Sequence, residues 1–398
     1  MNEAVVRVAG HRERKLAVVC AVSAALVLAQ AVVFAASGLM LFAMAQSFHW
    51  SATAMGTAYT LIVLGACAGA PMPIVLIRRI GGSGTIVVGM ALLAVSFLAM
   101  AFVGSLPQLY ACVFAIGVAF SLSGNSPGVY LVSGWGGAGA GGLIGIYLMI
   151  GMLGNAVGPP LAQALIGQDG WQGYALTIAA FAVVAAIGCA LALREPPVAT
   201  DAPAGKSWRD LGAVLRSRTF ALLAVAIVMS QLCLVTVSSV APAHLAGEGV
   251  SDALAARLLG VEGIAAALAT GLLGHFAARL SPRRMLPLTL AACGAGLVIL
   301  AATRDTALLH GFAMLLGAGV GGATLTVTLL LVRYFGPGDG AASLGAIWTL
   351  AGLAALGPWG AGLVADATGS YAPGLLALGL VMVPIAAGSL LLPKEPRT

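Results

Sequence analysis

About twelve runs of some 20 apolar residues, parted by short polar connections, constrain what this chain can fold into more than any other feature. A run of that length crosses about 30 Å of hydrocarbon as an α-helix. With no water to solvate an open backbone there, a spanning segment must be a helix or part of a closed barrel. Barrel strands alternate in polarity over about ten residues, and these runs do not. They lie near 16–46, 52–77, 83–104, 107–133, 139–166, 171–194, 219–246, 254–278, 284–302, 306–332, 340–366 and 372–392. The fold expected is an all-α membrane protein of twelve transmembrane helices. Composition agrees, because 8% charged and 60% hydrophobic residues leave too little polar surface for a soluble domain.

An even number of crossings puts both termini on one side. Seventeen of the 19 Lys and Arg residues then share that side, in the N-terminal arm, the alternate connections and the long central one; Arg257 and Arg304 lie opposite. Basic residues concentrate on the cytoplasmic side, so a multi-pass protein of the cell inner membrane with both termini cytoplasmic is expected. The first run is too long for a secretory signal and is read as a retained helix. The net charge of +6 is spread over membrane ends without aromatic interleaving, so lipid headgroups and no nucleic acid are the partners it implies.

Cys20, Cys67, Cys112, Cys189, Cys233 and Cys293 all fall within spans, make no CxxC and read as small packing residues. His11, His49, His244, His275 and His310 lie outside the spans or near their ends, and no HExxH or Ser-His arrangement is visible. No enzyme, cofactor or metal is expected.

The segment 195–218, with Pro196, Pro197, Pro203 and Gly205, is the one long break in the apolar pattern. It divides the chain into an N-terminal six-helix half (1–194), a cytoplasmic linker (195–218) and a C-terminal six-helix half (219–398). A repeat near 200 residues supports the division: Arg79 and Arg279, Gly158-Pro159 and Gly357-Pro358, and Gln30 and Gln231 recur at 200, 199 and 201 residues. Six helices per half makes the repeats parallel, which places a solute path between two pseudo-symmetric halves that rock to give alternating access.

At this point the chain resembles the major facilitator superfamily over essentially its whole length. The superfamily's loop motif Gly-x-Leu-x-Asp-Arg-x-Gly meets Leu76, Arg79 and Gly81 here, with Ile74 and Arg78 replacing the first Gly and the Asp. The second copy keeps Gly274 and Arg279 with Ala278 in the Asp position. The resemblance makes Arg79 and Arg279 parts of a cytoplasmic lock; without the acid they also read as topology anchors. Gly145, Gly154, Gly158 and Pro159 reproduce the spacing of the glycine-rich fifth-helix motif associated with drug:proton antiporters, and close helix packing is the simpler explanation of the stripe. Pro159 is expected to kink its helix. A finer resemblance, to the bacterial monocarboxylate-porter and oxalate:formate-antiporter branch, rests on Tyr334-Phe335-Gly336, Gly357-Pro358 and the Asp366 to Tyr371 ending, with Trp50-Ser51 and Gly170-Trp171.

Charged side chains deep in a span are costly and mark function by default. Glu262, about two turns into the eighth helix, is the clear case, and desolvation suits a carboxyl to taking up and releasing protons. It is the expected proton-coupling residue; the alternative is a structural ion pair with Arg257, for which a five-residue offset is poor geometry. In the monocarboxylate branch an Arg follows this acid by four residues; here that position is Ala266, and Trp348 stands nearest to a second basic position of the branch. The resemblance further implies that the first and fourth helices of each half line the cavity. Gln30, Asn125, Tyr130, Tyr147, Gln231 and Trp348 are the expected substrate-cavity residues, since buried amides need partners that a solute can supply. Gly154, Gly158, Pro159, Gly357 and Pro358 join Arg79 and Arg279 as gating or structural positions. The expectation is a monomeric proton-coupled carrier taking up a small organic metabolite, with proton-driven efflux of a neutral or cationic compound as the alternative.

Overall fold

The computed structural model describes residues 2–136, 140–196, 212–275 and 281–394. Every regular element among them is helical. They run α1 (Asn2–Gln30), a π-helical turn (Ala31–Ala35), α2 (Ser37–Phe48), α3 (Ala52–Gly69), α4 (Met72–Met100), α5 (Leu106–Ser123), α6 (Asn125–Gly136) and α7 (Ala140–Ala192). Then follow α8 (Gly212–Leu215), α9 (Arg218–Gly247), α10 (Asp252–His275), α11 (Pro282–Ala302), α12 (Thr306–Ala351), a 3₁₀ turn (Gly352–Ala355), α13 (Leu356–Thr368) and α14 (Ala372–Ser389).

Tight turns hide inside the longest helices. Gly81, Gly170 and Gly336 sit at φ 78°, 70° and 79° within α4, α7 and α12, a left-handed backbone that glycine adopts without a Cβ penalty. Among the described residues eleven helices are long and apolar enough to cross a membrane, and the longest, Gly142–Ala192, has the length of two spans joined at Gly170. The turns also carry the repeat: His49 and Gly249 (249 − 49 = 200), and Gly170 and Gly369 (369 − 170 = 199), pair as positive-φ residues.

Three details go beyond the sequence reading. The first span is interrupted by the Ala31–Ala35 π-turn, the fourth breaks at Gly124 (φ −90°, ψ −137°), and the eleventh passes through the 3₁₀ turn. Helical dihedrals continue through Pro159 and Pro160, and within α7 only Gly170 leaves them. The two prolines are accommodated without a break, as membrane helices allow when neighbours compensate the lost bonds.

The chain forms two compact units. One comprises Met1–Ala35, Leu61–Gly158 and Ala164–Pro203. In it, α1 lies against α7 at Gly151, Gly154 and Gly158: a Cβ on Gly154 would stand 2.5 Å from the Val27 carbonyl oxygen, and one on Gly158 2.5 Å from that of Ala31. Backbone-to-backbone approach of this kind is what small residues permit in lipid, where apolar side chains gain nothing by leaving the tails. The Ser121 hydroxyl donates to the Ala66 carbonyl at 2.6 Å and ties α5 to α3. Phe97 and Tyr174 meet edge to face at 6.3 Å.

The other unit comprises Ala36–Thr60, Pro159–Gln163 and Ala204–Thr398. Its core runs through Leu258, Leu290, Leu297, Phe312, Leu316 and Met382. Gly317 and Gly321 of α12, one turn apart, press on the α10 backbone at Glu262 and Ala266. Large apolar side chains also cover the outside of both units, as at Phe102 (76% exposed) and Leu288 (70%), where a soluble protein would place charge.

Candidate functional site

Glu262 stands ten residues into α10 (262 − 252 = 10), closer to three turns than two, because the helix begins at Asp252. It is 3% exposed and is the one acidic side chain among the described residues that is buried. Among the described residues, no hydrogen bond or ion pair reaches its carboxyl. Arg257 lies exposed on the same helix, so the alternative of a structural ion pair finds no support. The backbone beneath Glu262 is fixed by Gly317, where any side chain would collide with the Glu262 carbonyl oxygen.

Two side chains from other helices join it. Tyr59 of α3 is buried (1% exposed); its hydroxyl shares a hydrogen bond with the Ser238 side chain of α9 and lies within electrostatic range of the Glu262 carboxyl. Cys293 of α11 also lies within electrostatic range of Glu262 and of Cys233 of α9. These are the polar side chains within electrostatic range of Glu262 in an otherwise apolar unit.

Within this unit, a clasp holds the first turn of α3. The Asp366 carboxylate of α13 accepts from the Ala52 N–H at 3.0 Å and the Thr53 N–H at 2.9 Å, the first turn of α3. The side chains of Ser51 and Thr53 add to these bonds. Free N–H groups and the positive end of the helix dipole make this a favourable seat for a carboxylate. Tyr371 beside Asp366 stays protonated, pushed up to about 12 by burial first and by the Asp366 charge second. Further along α3, Thr60 donates to the Ala355 carbonyl at 2.5 Å, and Gly56 lies against the Pro358 carbonyl.

The remaining predicted positions divide between the units. In the first, Gln30 is half-buried beside Gly154, while Tyr147 is fully buried and donates to the Gly124 carbonyl at 3.3 Å, at the break between α5 and α6. Tyr130 packs over Gly82, and Arg79 is exposed. In the second, Gln231 is half-buried with a side-chain oxygen that finds no partner, Trp348 is exposed, and Gly357 lies against Thr236 of α9. Pro159 and Pro358 are buried. The Asn125 side chain and Arg279 lie outside the described residues.

Three residues escaped the sequence reading. Tyr59 is a phenol in the middle of a span that was not assigned to the cavity, and its position was the available signal. Asp366 appeared only as part of a motif. Glu195, counted with the linker, accepts from both the backbone N–H and the hydroxyl of Ser83, just past the positive-φ Gly81. It supplies an acid at the turn where the loop motif lacks one, on the helix start instead of the arginine.

Comparison with known proteins agrees with this architecture. Residues 22–358 match the sequence profile of the Major Facilitator Superfamily. No curated protein sequence matches the chain. Among solved structures it is similar to a bacterial homolog of the human lysosomal transporter Spinster (16% identity, 96% of each chain, TM-score 0.77). It is also similar to the nucleoside transporter NupG (13% identity, 96% of this chain and 100% of that one, TM-score 0.80). A D-xylose-proton symporter is likewise similar (14% identity, 96% and 98%, TM-score 0.75). At such identities the likeness is one of fold. The family match, the long apolar helices and the shared fold together establish that the chain belongs to the Major Facilitator Superfamily and is a membrane transporter, not an enzyme.

Proposed function

We propose that this protein is a secondary active transporter that takes up a small organic metabolite together with a proton, by alternating access between its two six-helix halves. The observation that carries the reading is Glu262, a buried carboxyl set in an apolar helix. An acid is kept in such a place at a cost, and a proton that comes and goes is the function that repays it.

The substrate class is inferred from the residues expected to line the cavity. Gln231 offers an unpartnered amide oxygen, Gln30 a second amide, and Trp348 an exposed indole. Amides and aromatic edges suit a neutral or weakly ionised polar solute, whereas a fully ionised carboxylate needs a cation that Ala266 does not supply. Solved relatives by fold include carriers of a nucleoside and of xylose, both neutral polar solutes, which supports this class. Kinship with the monocarboxylate branch is retained for solutes that enter protonated. The reading includes an inner-membrane, monomeric carrier with cytoplasmic termini, with Arg79 and Arg279 at the cytoplasmic lock and the Gly154, Gly158 and Gly357 contacts as pivots.

The test is Glu262→Gln in proteoliposomes. Solute exchange should persist while accumulation driven by a proton gradient is lost; accumulation at the unmodified level would remove Glu262 from the coupling role.

A further inference from the structure

The second compact unit holds more than the C-terminal half of the sequence. It also takes in Ala36–Thr60, a stretch that belongs by sequence to the N-terminal half, so that α3 is part of this unit only as far as Thr60. Small residues seat the stretch: Gly38 lies against the Ser238 carbonyl, Gly56 against that of Pro358, and Gly362 of α13 against that of Ala52. Such contacts are close packing without directional bonds.

Asp366 supplies the directional bonds at the end of this seam. Ser51 already caps α3, its hydroxyl accepting from the Ala54 N–H at 3.1 Å. The N–H groups of Ala52 and Thr53 remain, and each donates to one oxygen of the Asp366 carboxylate. The repeat does not reproduce this arrangement. The helix start 200 residues beyond Ala52 is Asp252, so α10 carries an acid in its own first turn, whereas the first turn of α3 has none. Gly167 stands 199 residues before Asp366. The start of α3 therefore takes its acid from the other half of the sequence, 314 residues away from Ala52.

With cytoplasmic termini, α3 begins and α13 ends on the outer side of the membrane. Rocking of the halves to open that side has to draw Ala36–Thr60 off the C-terminal half, and the two Asp366 bonds must break as it does so. Asp366 is exposed, so water can take over the carboxylate and the two N–H groups as they part. A buried pair would instead strand its charge on opening.

We propose that Asp366 is the latch of the outer gate: its carboxylate holds the start of α3 against the C-terminal half, and the outer side opens when these two bonds pass to water. This inference rests on the reading of the protein as an alternating-access carrier with cytoplasmic termini.

The experiment is single-molecule energy transfer on the full-length protein in nanodiscs, with no solute added. Dyes are attached through unnatural amino acids, which leaves the native cysteines in place. They sit at exposed positions 200 residues apart: Phe102 and Ala302 at outer helix ends, Leu191 and Leu391 at cytoplasmic ones. The quantity read is the dwell time of the state with the outer pair close and the cytoplasmic pair apart. Asp366→Ala should shorten that dwell about 5- to 30-fold, with Asp366→Asn between. Each separation of the outer pair should be matched by an approach of the cytoplasmic pair, a coupled change that fraying of one helix turn does not produce. An unchanged or longer dwell in Asp366→Ala, with excursions present in both proteins, overturns the latch and leaves alternating access standing. If neither pair changes distance in any of the proteins, the halves do not rock, and both readings fall.

Discussion

Replacing Asp366 with alanine should release the first turn of α3 without unfolding the protein. The carboxylate accepts two backbone N–H bonds at 3.0 and 2.9 Å, so Asp366→Ala removes both acceptors and the charge facing the helix start. Loss of a capping side chain costs about 0.5–2 kcal/mol, and the interaction of a charge with the helix end about 0.3–1 kcal/mol. Asp366 is exposed, and water takes over part of both terms, so about 1–2 kcal/mol is the reasonable sum. For amides that exchange through local opening, this corresponds to roughly 5- to 30-fold faster exchange. The assay is hydrogen–deuterium exchange by mass spectrometry on peptides spanning residues 50–60, in nanodiscs. Asp366→Asn, which keeps one acceptor oxygen and loses the charge, should fall between. Exchange in Asp366→Ala equal to the unmodified rate would show that the clasp holds nothing, and that the seat of Tyr59 depends on other contacts.

Other outcomes follow from single contacts. Gly154→Val should force α1 off α7, because the added carbons would meet the Val27 carbonyl and the Gln30 side chain; a cost of about 1–3 kcal/mol or more should appear as a lower detergent melting temperature. Gly188→Ala, which meets nothing within 4 Å, should leave the melt unchanged. Arg304→Ala breaks the 2.5 Å pair with Glu248, but Arg304 is 73% exposed, so the same melt should move by less than about 1 kcal/mol. Gln231→Ala, measured by equilibrium binding of whichever solute the carrier accepts, should weaken affinity about tenfold if the unpartnered oxygen receives a hydrogen bond from it.

Lipid makes the helices of such a chain legible, because every spanning segment must be apolar and long enough, and the sequence cannot disguise either property. Glu262 was legible for the same reason: a charge in an apolar run stands out against its background. Turn positions were half legible. Gly170 and Gly369 sit in register as the repeat requires, whereas His49, at φ 54°, carries no glycine to announce its turn.

What was illegible is pairing. Asp366 and Ala52 are 314 residues apart, and nothing in either segment names the other. Tyr59 and Ser238 look like isolated polar residues in two apolar helices until the fold joins them. The π-turn at Ala31–Ala35 has an equally plain reason to be missed. It lies in an apolar run and beside Gly158, so a backbone contact, not local preference, accompanies it. Tyr147 shows the converse: its polarity suggested a solute, and its hydroxyl is engaged with the Gly124 carbonyl where the fourth span breaks.

Solute-evoked proton flux is the direct test of proton-linked uptake. Proteoliposomes loaded with a pH-sensitive dye would be offered small monocarboxylates, neutral heteroaromatic compounds such as vitamins, sugars and nucleosides, and lipophilic cations. Addition of a neutral or protonated polar solute should acidify the vesicle interior, and the acidification should be absent in Glu262→Gln. Proton movement out of the vesicle as a cation enters, or solute uptake with no proton movement at all, would contradict it.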